Sequence, residues 1–63
     1  MDILYVQFSD EIETIIVSWF CCPQSPEYYS FLDEVYADDQ RYINFYDSMP
    51  EFTRAGMPSP IYN

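Results

Sequence analysis

Seven Tyr, five Phe and one Trp share a chain of 63 residues, and this aromatic load constrains the fold more than any other feature. A domain of this length buries only about 60% of the surface that its unfolded chain exposes. Thirteen large rings cannot all be enclosed in it. Some must lie on the surface, and clustered exposed rings mark binding surfaces. The same rings argue against disorder despite a net charge of -9.

So short a domain usually needs a staple: a disulfide, a metal or a partner chain. The only cysteines, Cys21 and Cys22, are adjacent. A bridge between neighbours is strained and closes no loop, so it constrains little. With no histidine in the chain, a zinc site has few ligands to draw on. Flanked by Trp19 and Phe20, the two cysteines read as reduced, buried structural thiols. A partner chain is the remaining staple.

The pattern along the chain predicts an α+β fold: a small antiparallel β-hairpin over 2–22, packed on one main C-terminal helix over 38–49. The first run, Asp2 to Phe8, is β-branched and aromatic, and Ser9-Asp10-Glu11 breaks it with turn formers. The second run, Ile12 to Cys22, alternates, with Ile15, Val17 and Trp19 on one face and Ile16, Ser18 and Phe20 on the other. Pro23 and Pro26 end it, because proline cannot donate to a ladder. A loop follows over 23–37, in which Asp33 to Tyr36 can supply a third short strand. Asp38 or Asp39 then caps the helix, where Tyr42, Phe45, Tyr46 and Met49 recur at three- and four-residue spacing. Pro50 stops it. A further turn ends at Gly56 as a C-terminal cap, and an extended tail, mobile or partner-bound, closes the single domain over 50–63.

The expected core joins Tyr42, Phe45, Tyr46 and Met49 to Ile15, Val17 and Trp19. The open hairpin is expected to meet a protein partner, or a second copy, through Val6, Phe8, Ile16 and Phe20, with Tyr28 and Tyr29 in the following loop. An unpaired strand edge is a template for another strand.

Catalysis is not expected. General acid–base chemistry at neutral pH usually draws on histidine. The pairs Asp10-Glu11, Asp33-Glu34 and Asp38-Asp39 read as turns and helix starts. A cysteine here has no base beside it, one glycine makes no phosphate loop, and no calcium-loop spacing occurs. No cofactor or metal is expected. Ile15–Cys22, the most apolar run, has eight residues, short of the roughly 20 that span a bilayer. The N-terminus carries an acid where a signal peptide carries Lys or Arg. Arg41 and Arg54 are the only basic side chains, so direct contact with nucleic acid or anionic lipid is disfavoured.

Three strings carry a resemblance: Val6-Gln7-Phe8-Ser9-Asp10, Thr14 to Phe20, and Cys22-Pro23-Gln24-Ser25-Pro26-Glu27. With Asp38 to Tyr46 and the Gly56-Met57-Pro58-Ser59-Pro60 tail, they resemble short proteins encoded among the tail genes of phages and prophages. The resemblance implies a structural or assembly protein of the tail or tail fibre, acting by protein–protein binding. It would reside in the host cytoplasm during assembly or in the finished tail. The alternative is an acidic inhibitor that mimics nucleic acid and blocks a nucleic-acid-binding host protein. Such a mimic should set carboxylates in rows at phosphate spacing. Here the acids gather at turns and helix starts, which favours the tail protein.

Overall fold

The computed structural model describes residues 3–62. It is a small α+β fold, in which one antiparallel three-stranded sheet carries two helices on one face. Strand β1, Ile3–Phe8, lies in the middle, with β2, Ile16–Phe20, on one side and β3, Leu32–Tyr36, on the other. The third strand therefore exists, and it pairs with the first strand rather than extending the hairpin past β2. The expected start of the hairpin at Asp2 lies outside the described residues.

The second strand starts later than its alternation suggests. The Asp10 carboxylate accepts from the Ile12 amide at 3.1 Å, and the Asp10 carbonyl accepts from Glu13 at 3.2 Å. This turn takes up Ile12 and Glu13, with Glu13 at φ 60°. Ser9 N–H to the Ile15 carbonyl, 2.9 Å, closes it before pairing begins.

A bulge then decides which face is the core. Val6 lies opposite Trp19 and Gln7 opposite Ser18, but Phe8 lies opposite Ile16, which leaves Val17 as the extra residue. An extra residue reverses the alternation that precedes it. Ile16 and Trp19 thus share the inner face with Leu4, Val6 and Phe8, while Ile15 is 61% exposed and Val17 48%. The expected core face of β2 is corrected to this extent: of its three residues only Trp19 packs inward. Val6, Phe8 and Ile16, expected at the partner interface, are buried core residues. The two cysteines are corrected as well. Pairing ends at Phe20, so Cys21 and Cys22 fall in the following bend, where both are free and exposed.

Helix α1, Gln40–Ser48, lies over the inner face. Tyr42 is wholly buried in the core, and Phe45 and Tyr46 pack against it, as their spacing predicts. Asp39 is the N-cap: its carboxylate accepts from the Arg41 amide at 2.9 Å, satisfying one of the free amides of the first turn. Pro50 stops α1 and opens a single turn, α2, Glu51–Arg54. Its C-cap is Ala55 in right-handed helical conformation, so Gly56 does not serve as a left-handed cap.

The tail folds back instead of reaching outward. The Tyr42 hydroxyl donates to the Pro58 carbonyl at 2.6 Å, Ile61 N–H to the Ala37 carbonyl at 2.9 Å, and the Tyr62 hydroxyl to Asp47 at 2.6 Å. Pro60 is buried. The chain thus uses its own tail to cover the helix that a sheet of this size cannot cover alone.

Candidate interaction surface

With the helices on one face, the outer face of the sheet carries the alternate residues: Ile3, Tyr5 and Gln7 of β1, Ser18 and Phe20 of β2, and Leu32, Glu34 and Tyr36 of β3. Their register sets up rows across the strands. Phe20 stands opposite Tyr5, and Tyr5 opposite Glu34. Directly opposed residues on one face of an antiparallel pair lie within side-chain contact. Ile3 stands opposite Tyr36 at the end of the sheet.

Strands β2 and β3 flank β1 and run parallel to each other, so the chain must return between them over residues 21–31. This crossover lies on the outer face. Gln7 Nε2 donates to the Ser30 carbonyl at 3.1 Å, and the Phe20 and Tyr29 rings meet tilted at 60°, with centroids 5.0 Å apart. Within the crossover the Ser25 carbonyl accepts from both Tyr28 and Tyr29, and Ser25 Oγ accepts from Glu27. That turn leaves Tyr28 79% exposed. Phe31 ends it at φ 58°, with its carbonyl accepting from Phe8 N–H at 2.9 Å. A bulky residue in the left-handed region costs about 1–3 kcal/mol, and here it holds a half-exposed ring at the surface. Between crossover and sheet lies a cleft of about 290 Å³, lined by Tyr5, Phe20, Pro23, Gln24, Leu32 and Glu34.

Of the six expected contact residues, the fold brings Phe20, Tyr28 and Tyr29 together on this side. Sequence reasoning missed Tyr5, Glu34 and Tyr36. The signal for Tyr5 was present in its alternation with Leu4 and Val6, but the partner of that face depends on where the crossover runs.

The two edges of the sheet differ. Phe8 N–H bonds to the Phe31 carbonyl, so by antiparallel alternation the N–H of Glu34 points away from β1. The Asp33 carboxylate accepts that N–H at 2.7 Å and occupies it. Edge β2 has no charged residue, and beside it lies a groove of about 270 Å³ formed by Val17, Trp19, Phe45, Met49, Thr53 and Met57.

An ion pair lies on the opposite side. Arg41 Nε and Nη2 donate to the Asp39 carboxylate at 3.0 and 2.8 Å, and Nη1 donates to the Glu13 carbonyl at 2.7 Å. The guanidinium carbon lies 4.8 Å from the centre of the Phe8 ring. This knot ties the hairpin turn to the start of α1, and its hydrogen bonds hold the Asp39 carboxyl below its ordinary range. Nearby, the Asp33 carboxyl raises that of Glu13. The Cys22 thiol is raised by hydrogen bonding to Cys21. Among the described residues, no cluster of three or more His, Cys, Asp or Glu side chains could hold a metal ion. Among the same described residues, no helix is long and apolar enough to cross a membrane.

No protein-family model, curated protein or solved structure matches the chain.

Proposed function

We propose that this chain is a protein-binding module of a phage or prophage tail, structural or assisting assembly, and that it binds through the outer face of its sheet and the 21–31 crossover. The observation that carries the reading is the grouping of exposed Tyr28 and Tyr29 in the crossover with exposed Tyr36 on the outer face of the sheet. Grouped exposed rings on so small a domain are the usual signature of a docking surface, whereas exposed Phe52 and Tyr62 stand apart on α2 and the tail. The strained backbone at Phe31 adds to it, because local strain is retained where the presented side chain is used. The tail context rests on the resemblance of the sequence alone.

Sedimentation velocity tests the reading, with the protein alone and mixed with purified tail and tail-fibre proteins from the same genome. The reading expects a complex or self-association that Tyr28→Ser with Tyr29→Ser abolishes while the far-ultraviolet spectrum is unchanged. A wild type that stays monomeric with every tail protein would refute it.

A further inference from the structure

The cleft under the crossover has a composition that specifies its occupant. In register across the strands it presents two aromatic rings, Phe20 and Tyr5, and then a carboxylate, Glu34. Pro23 and Leu32 add apolar wall, and the Gln24 amide nitrogen is turned to the Cys22 carbonyl at 3.2 Å, which leaves its oxygen as an acceptor. Rings beside an acid suit a cation that also has a flat apolar surface.

The chain has no such cation to give. Its basic side chains are Arg41 and Arg54. Arg41 is held by Asp39, the Glu13 carbonyl and the Phe8 ring, and Arg54 lies 5.2 Å from the centre of the Tyr46 ring. A second copy offers only Arg41, which is held by its own contacts, and Arg54, which packs on Tyr46, and it brings a like net charge of -9 that opposes its approach. Charge complementarity with a chain of net charge -9 points to a basic partner.

We infer that the cleft formed by Tyr5, Phe20, Gln24 and Glu34 receives an arginine side chain from an extended basic segment of another protein. The guanidinium stacks on the rings and donates to the Glu34 carboxylate and the Gln24 oxygen. Arginine is favoured over lysine because its planar fork satisfies both the stacking face and several acceptors at once. The inference rests on the outer face being the protein-binding side, and it adds what that side recognises.

The probe is Nα-acetyl-arginine N-methylamide, titrated into isotope-labelled protein and followed by amide chemical shifts. The lysine and citrulline analogues, the latter the neutral isostere, run beside it. The expected result is saturable shifts confined to Tyr5, Phe20, Gln24 and Glu34, about tenfold weaker for citrulline and for Glu34→Gln, as loss of a charge-assisted hydrogen bond implies. Glu51→Gln, on the helical side, should leave the titration unchanged. Equal shifts with arginine and citrulline, tighter binding of lysine, or equal losses from Glu34→Gln and Glu51→Gln would each overturn the inference. Because the probe needs no partner protein, such a failure leaves association through Tyr28 and Tyr29 to be judged separately by sedimentation.

Discussion

Alanine at Ile16 and alanine at Ile15 differ by one position in sequence and should differ by most of the stability of the domain. Ile16 is 4% exposed and packs with Phe8, Val6 and Trp19, whereas Ile15 is 61% exposed just before β2 begins. Ile→Ala removes roughly three methylene equivalents at about 0.8 kcal/mol each. A cavity contribution brings the cost at a buried site to about 3–4 kcal/mol. An unstapled domain of this size has only about 3–5 kcal/mol to lose. At about 1.4 kcal/mol per factor of ten, Ile16→Ala should bring folded and unfolded molecules to comparable populations. Ile15→Ala should stay within about 0.5 kcal/mol of wild type. Urea unfolding followed by Trp19 fluorescence measures both. Equal costs at the two positions, or a larger cost at Ile15, would mean that the bulge at Val17 is absent and the strand presents its other face.

Three further outcomes follow from the contacts. Asp39→Ala removes the helix cap and one side of the Arg41 knot and should cost about 1–2 kcal/mol; in the wild type this contribution is present above the unfolded carboxyl value near ~3.9 and is lost as pH falls through the depressed folded value. Burial pushes the Tyr42 phenol up to about 12, so wild-type stability should hold below pH ~10 and decline as pH rises towards that value, while Tyr42→Phe removes the bond to Pro58 at about 0.5–1.5 kcal/mol; thermal melts across alkaline pH check both. Phe31→Gly should hold or raise the melting temperature, because glycine accepts a positive φ without strain, yet weaken association measured by sedimentation.

Much of the fold is legible in local chemistry. Asp39, the three- and four-residue spacing of Tyr42, Phe45 and Tyr46, and Pro50 define the helix without help from the rest of the chain. Leu4, Val6 and Phe8 likewise alternate into a half-buried strand. The faces of β2 were not legible, because Ile-Ile-Val reads equally well in either phase and one extra residue at Val17 inverts it. Opposed pairing with Phe8, a tertiary fact, fixes that phase. The candidate surface was legible in part. Tyr28 and Tyr29 stand out as rings in a proline-bounded loop, whereas the alignment of Phe20, Tyr5 and Glu34 requires β3 to pair with β1. That choice depends on the crossover, whose entry into β3 uses Phe31 in a conformation that no residue-type preference predicts.

Hydrogen–deuterium exchange of the associated protein against the isolated protein reports most directly on the claim that the outer face is the binding face. The account predicts new protection over the 21–31 crossover and the outward amides of Leu32 and Tyr36, with α1 and α2 unchanged. Protection confined to α1, α2 or the groove between them and β2, with the crossover exchanging as in the free protein, would contradict it.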